Sequence, residues 1–272
     1  MRKTHTIAII SNKGGVGKTT TAVNTAARLS QLGYDVLVVD CDKQCNLTRT
    51  FSESTPSSSI YEALLGTVRK LPKCIISRHL TLVPASPQLF GIEGQLRSEI
   101  GINEELVRRL ERLLQPEMGK YDYIIIDTSA IDNILTINAL NFTQDALFVT
   151  RPEQFSVESL YDLFLYIRRI KEALNPQLRL TGVLITGMVN NSVGHVKGEE
   201  FLRNWLHKLV MKTVIRHSRP LYTSILAHKD VFSYAPTSNG ALDYEQFVNE
   251  LIDRTNSYDA EQEDWGFLGP KQ

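Results

Sequence analysis

Ten consecutive residues carry the clearest chemistry in this sequence: Ser11-Asn12-Lys13-Gly14-Gly15-Val16-Gly17-Lys18-Thr19-Thr20. The glycines at 14, 15 and 17 let successive backbone N–H groups turn toward one point, and a lysine and two hydroxyls follow at once. Such a loop cradles phosphate oxygens, and the N-terminus of a following helix adds partial positive charge. In that arrangement Lys18 bridges the β- and γ-phosphates of a nucleoside triphosphate, while the Thr19 hydroxyl faces Mg²⁺. The spacing predicts a nucleotide site built from Gly14, Gly15, Val16, Gly17, Lys18, Thr19 and Thr20, taking ATP and Mg²⁺.

Two further segments place carboxylates where such a site needs them. Tyr121-Asp122-Tyr123-Ile124-Ile125-Ile126-Asp127-Thr128 is an apolar run ending in aspartate, and Asp127 is expected to hold Mg²⁺ through water. Val38-Val39-Asp40-Cys41-Asp42-Lys43-Gln44 ends another apolar run with two acids. Asp40, nearer the run, is expected to support the metal shell; a solvated acidic turn is the other reading of this pair.

These groups need a sheet whose strand ends converge. Short β-branched runs at Thr6 to Ile10, Val36 to Asp40, Leu80 to Pro84, Tyr123 to Asp127, Ala146 to Thr150, Thr181 to Thr186 and Thr213 to Ile215 read as strands. Several are apolar at nearly every position, as parallel strands covered on both faces require. Helical spacing marks Lys18 to Leu32, Asn103 to Leu114, Ser156 to Leu174, Gly198 to Val210 and Asp243 to Arg254. The alternation predicts a doubly wound α/β fold, a mostly parallel sheet of about seven or eight strands flanked by helices. Residues 1–255 are expected to form one domain and 256–272 a loose, polar, acidic tail. The run from Ser52 to Ser59 reads as a surface loop.

Composition narrows the function classes. Lysine plus arginine and aspartate plus glutamate each number 30, so no overall field draws the chain to nucleic acid or membrane, and any such contact must be local. Three cysteines, Cys41, Cys45 and Cys74, do not make a disulfide framework and suit a reducing cytosol. The first ten residues hold too short an apolar stretch for a signal peptide, and no later stretch matches a membrane span.

Asn12 stands where the general phosphate-loop pattern has its first glycine, with Lys13 beside it. Lys13-Gly14-Gly15-Val16-Gly17-Lys18-Thr19-Thr20 resembles the deviant P-loop (deviant Walker A) of the ParA/MinD superfamily, and the likeness runs from about residue 5 to 254, nearest to the short ParA/Soj-like group. The resemblance implies a P-loop ATPase that forms a homodimer on binding ATP, with Lys13 serving the partner's nucleotide in trans. It also implies that Asp42 helps orient the attacking water beside the metal and that Asn190 contacts adenine, although Asn190 in its Asn-Asn pair equally reads as a turn former. Four positions depart from the family pattern: Lys43 stands for a usual proline, Ser129-Ala130 for a proline pair and Cys45 for a common glycine. Without proline those loops are expected to be looser, which bears on hydrolysis more than on binding.

From Phe201 to Lys229 there is no Asp or Glu, while Arg203, Lys208, Lys212, Arg216, Arg219 and Lys229 are present. The run reads either as a solvated basic face or as a local positive field. In ParA-like proteins basic residues of this region bind DNA without reading sequence, which implies non-specific DNA contacts through Arg203, Lys208, Lys212, Arg216 and Arg219. The implied function is an ATP-switched protein that positions or segregates plasmid, chromosome or mobile-element DNA. A ParB-like centromere-binding partner, or another activator, would stimulate its slow hydrolysis, and the protein would lie in the cytoplasm at the nucleoid. A MinD-like membrane cycle is the competing reading, as is positioning of protein cargo. The acidic run Asp259 to Asp264 suits anionic lipid poorly and argues against the membrane.

Overall fold

The computed structural model describes residues 2–52, 56–100, 104–129, 133–153 and 157–257. The expected tail beyond Ser257, and Ala130 of the Ser129-Ala130 pair, lie outside the described residues.

Eight strands form one sheet: β1 (His5–Ile10), β2 (Val36–Cys41), β3 (Cys74–Ser77), β4 (Leu80–Val83), β5 (Tyr123–Thr128), β6 (Asp145–Thr150), β7 (Arg179–Met188) and β8 (Val210–Arg216). Their order is β3-β4-β2-β5-β1-β6-β7-β8, and every neighbouring pair is parallel except β3 with β4. The expected doubly wound, mostly parallel architecture is the one observed. Parallel strands deliver their carboxyl ends to one edge, and the order reverses at β1, where open α/β sheets bind ligands.

Helices α1 (Lys18–Gln31), α2 (Asn46–Phe51), α3 (Ile60–Leu65), α4 (Ile92–Ile100), α5 (Glu104–Leu114), α6 (Ile134–Phe142), α7 (Val157–Ala173), α8 (Val193–Leu206), α9 (Arg219–Leu226), α10 (Val231–Tyr234) and α11 (Asn239–Asn256) complete the chain. The strands alternate between two cores. Ala8, Ile10, Leu37, Val39, Ile124 and Ile126 face α3 to α8, whereas Ile7, Ile9, Val36, Val38 and Ile125 face α1, α2 and α11. Burial on both faces explains why these segments are continuously apolar rather than alternating.

Two local readings change. The run read as a loop up to Ser59 ends instead in a capping box: the Ser59 hydroxyl accepts from the Tyr61 amide, and the Ser59 amide donates to Glu62 at 2.7 Å. That reciprocal pairing starts α3, and its S-x-x-E signature, Ser59 to Glu62, begins at the last residue of the polar run. β3, absent from the expected strands, is four residues long and is held on the sheet by β4 alone.

The opposite edge is closed by side chains. Arg203 donates to the carbonyls of Met211 and Lys212, each at 3.2 Å, and the Glu250 carboxylate accepts the amides of Lys212 at 2.8 Å and Thr213 at 2.9 Å. Both kinds of backbone group near the start of β8 thereby find side-chain partners.

Candidate nucleotide site

The loop from Ser11 to Gly17 joins β1 to α1. Gly17 is the N-cap of α1 with φ 96°, a left-handed conformation that side chains resist, and it brings no side-chain cap. A Cβ there would stand 3.6 Å from the Thr186 hydroxyl, so the backbone angle rather than lack of room calls for glycine. The result is an uncapped helix terminus whose first amides are available to an anion.

Lys18 opens α1 and is almost buried, its ammonium donating to the Ser11 hydroxyl at 3.0 Å. Ser11 in turn donates to the Lys13 carbonyl at 2.7 Å, so one hydroxyl holds both the lysine head and the loop. Thr19 and Thr20 follow in the first turn of the helix, while Lys13, Gly14 and Gly15 are exposed. Val16 is buried, and its carbonyl accepts from Thr186 on β7; that hydroxyl also reaches the Thr150 carbonyl at 3.2 Å. Thr186 therefore fastens the loop to the ends of β6 and β7. Sequence reasoning missed it because its partners are backbone carbonyls, which no side-chain motif announces.

Asp40 on β2 and Asp127 on β5 are both fully buried, yet they differ in their partners. Asp40 Oδ1 accepts the Asp42 amide at 3.0 Å, and Oδ2 accepts the Thr48 amide at 2.8 Å and hydroxyl at 2.7 Å. Thr48 also accepts the Ala85 amide at 2.8 Å. Protein donors thus reach both oxygens of Asp40, which makes it an anchor for the loop that carries Asp42. Neither oxygen of Asp127 has a hydrogen-bond partner among the described residues. Burial and the neighbouring Asp40 charge push its carboxyl well above the ordinary range, with Thr19 and the Lys18 ammonium pulling the other way. A buried, unpartnered carboxylate between a lysine and a threonine hydroxyl fits a divalent cation that takes its remaining ligands from water and phosphate, as Mg²⁺ does.

Asp42 is half-buried past the end of β2, where its carboxylate accepts the Gln44 amide and its carbonyl accepts the Cys45 amide, both at 2.9 Å. These bonds pin the turn that was expected to be loose without proline. Cys45 takes φ 55° as the N-cap of α2, the left-handed conformation that explains glycine at this position in the family. Lys43 is exposed, with its ammonium 4.9 Å from the Phe90 ring centre. Cys41 is buried, which drives its thiol well up from the usual range.

Asn190 lies exposed in the turn after β7, where the Ser192 amide bonds the Val189 carbonyl at 2.9 Å. The basic run that lacks acids in sequence does not lack them in space. Arg203 pairs with Glu199 at 2.8 Å, and Arg216 pairs with nearly buried Asp243 at 2.6 Å. Lys208 and Lys212 are exposed near the start of β8, whereas Arg219 is exposed beyond its end, about 20 Å away by the rise of a seven-residue strand. One sequence stretch is therefore split over two surfaces.

Known proteins share this arrangement. The AAA domain family's profile matches residues 4–180. The chromosome partitioning protein ParA of Myxococcus xanthus is 34% identical over 253 residues, which cover 91% of this chain and 88% of that protein. The sporulation initiation inhibitor protein Soj of Bacillus subtilis is 33% identical over 249 residues, covering 90% and 97%. Among solved structures, cobyrinic acid a,c-diamide synthase of Mycobacterium smegmatis with bound ADP and magnesium has a TM-score of 0.78 at 26% identity, covering 93% of this chain and 96% of that one. The septum site-determining protein MinD of Pyrococcus horikoshii, complexed with Mg-ADP, shares the fold with a TM-score of 0.76 at 22% identity, covering 93% and 98%. The chain belongs to the ParA/MinD-like family of partition ATPases.

Proposed function

We propose that this chain is an ATP-driven positioning switch: it binds ATP with Mg²⁺, pairs with a second copy across the nucleotide, holds DNA in that state and lets go after hydrolysis. The observation that carries the reading is the meeting of an uncapped helix start, the ammonium of Lys18 and the unpartnered carboxylate of Asp127 at one sheet edge. The relatives named for chromosome partitioning and the neighbours with bound ADP and magnesium support it.

In this reading Lys18 leaves Ser11 for the terminal phosphates, and the amides from Gly14 to Thr20 cradle the oxygens. Thr19 and, through water, Asp127 and Asp42 would hold Mg²⁺, which when bound neutralises charge on the phosphate oxygens. Asp42, fixed by the Asp40 and Thr48 anchor, orients the attacking water. Lys13, exposed at the loop shoulder, lends its charge to the nucleotide of the other copy. Exposed Lys208 and Lys212 supply phosphate contacts that do not read sequence. A partner of the centromere-binding type quickens hydrolysis, and the protein works in the cytoplasm at the nucleoid.

Calorimetric titration with ATP, with and without Mg²⁺, followed by co-sedimentation with duplex DNA, tests the reading. Magnesium-dependent binding and ATP-dependent DNA retention are expected. Retention indifferent to nucleotide would overturn the switch.

A further inference from the structure

Phe90 is a large apolar ring that is 75% exposed, so burial does not account for its place. Its stem is nonetheless fixed. Pro87–Leu89 forms a single 3-10 turn, the Phe90 amide donates to the Pro87 carbonyl at 3.0 Å, and Leu89 and Ile92 on either side are buried in the core.

The ring faces the loop that carries Asp42. The Lys43 ammonium lies over it, 4.9 Å from the ring centre, within the range over which an aromatic face attracts a cation. Lys43 is the middle of a loop that closes through the Gln44 and Cys45 amides, which donate to the Asp42 carboxylate and carbonyl, both at 2.9 Å. Ring stem and loop share one anchor, because the Thr48 hydroxyl donates to Asp40 at 2.7 Å and accepts the Ala85 amide at 2.8 Å. Glu93, the first acid after the ring, pairs with Arg97 at 2.7 Å, and no ion pair of Lys43 is found among the described residues. The aromatic face is thus the partner of this ammonium.

We infer that Phe90 is a positioning residue for ATP hydrolysis: its ring holds the Lys43 ammonium and so keeps Asp42 aligned for the attacking water. The inference rests on the role proposed above for Asp42. A proline at 43 would restrain this loop by fixing one φ angle; here a contact between two side chains restrains it from outside. Proline acts whether or not a neighbour is present, whereas Lys43 needs the ring. An exposed contact of this kind is modest, so its loss shifts the share of aligned loop by about two- to fivefold and leaves folding unaffected.

Two variants of the full chain test this. Phe90→Leu keeps an apolar side chain but removes the aromatic face, and Phe90→Trp keeps the face. Without nucleotide, hydrogen exchange at the Gln44 and Cys45 amides is expected to quicken about two- to fivefold in Phe90→Leu and to keep the parent rate in Phe90→Trp, with one melting temperature for all three. The kcat of magnesium-dependent ATP hydrolysis falls by the same factor in Phe90→Leu and recovers in Phe90→Trp, while KM holds because Lys18, Thr19 and Asp127 carry the binding. In a Lys43→Met background, Phe90→Leu adds nothing to either readout. Unchanged exchange in Phe90→Leu overturns the inference, and so does an effect that persists in full beside Lys43→Met. Quickened exchange with an unchanged kcat overturns the positioning role. If Asp42→Asn hydrolyses ATP as fast as the parent, that role falls with the reading of Asp42, whereas the exchange rates judge the contact between Lys43 and Phe90 separately.

Discussion

Asp40 and Asp127 stand at paired register positions on adjacent parallel strands, both fully buried, but donors from Asp42 and Thr48 claim both oxygens of Asp40, while among the described residues Asp127 has only the Thr19 hydroxyl and the Lys18 ammonium pulling on its charge. Similar carboxylates thus take different work. One fixes the loop that carries Asp42, and the other makes no close hydrogen bond among the described residues at the edge where the phosphates would lie. An unpartnered buried carboxylate costs stability, and a fold keeps it where a ligand uses it.

Replacing Asp127 by Asn removes the buried charge and its repulsion by Asp40. The nucleotide-free variant is expected to gain about 1–2 kcal/mol, seen as a melting temperature raised by about 2–6 °C near neutral pH, while magnesium-dependent ATP binding is lost. A variant less stable than the parent without nucleotide would show that Asp127 has a partner after all.

The link from Thr186 to Val16 gives a second test. Thr186→Val keeps the shape but leaves the Val16 carbonyl without its donor, so the loop loses its fastening to β7. Nucleotide affinity is expected to fall about 5- to 30-fold, by the cost of one unmade buried hydrogen bond, with little change in far-UV circular dichroism. Unaltered affinity in a fluorescent-nucleotide titration would make Thr186 a mere core residue.

Arg216 and the Lys208/Lys212 pair separate stability from DNA contact. Arg216→Ala strands the nearly buried Asp243 and is expected to cost about 1–2 kcal/mol in a denaturant melt. Lys208→Ala/Lys212→Ala leaves the melt within about 0.5 kcal/mol and weakens DNA retention together with its salt dependence. If the Arg216 variant melts like the parent, the ion pair contributes nothing.

His5 opens β1, the strand that leads into the phosphate loop, and it is buried against Tyr123 with Nδ1 unpartnered among the described residues. Burial, helped by the Lys3 charge, lowers its pKa below the usual 6.5. Its neutral form is the one the fold accepts, so the stability it permits is present above pH 6.5 and lost as pH falls below that value. His5→Phe is expected to flatten the dependence of melting temperature on pH in that window. An identical pH profile for variant and parent would remove His5 as its source.

Much of this site was legible because its chemistry is local in sequence. The loop from Ser11 to Thr20, the run ending at Asp127 and the run ending at Asp42 each join an apolar strand to its functional residue, so pattern and position coincide. What stayed hidden depends on pairings across the fold. The two oxygens of Asp40 are claimed by donors at 42 and 48, and Thr186 acts on a loop 170 residues away. The acids beside the basic run stayed hidden for the same reason: Glu199, Asp243 and Glu250 lie outside it in sequence and against it in space. β3 escaped because four residues give too little alternation to stand out, and its strand geometry comes from β4.

The central claim is that Lys18 serves its own nucleotide and Lys13 serves the other copy's. Analytical ultracentrifugation of Lys13→Ala with ATP and Mg²⁺, at a concentration where calorimetry shows the nucleotide site filled, tests it most directly. The account predicts ATP affinity within about threefold of the parent, because the Lys13 side chain is exposed and its link to Ser11 runs through the backbone carbonyl that alanine keeps, together with loss of the ATP-dependent dimer. An intact ATP-dependent dimer in that variant, or loss of ATP binding by the monomer, would contradict it.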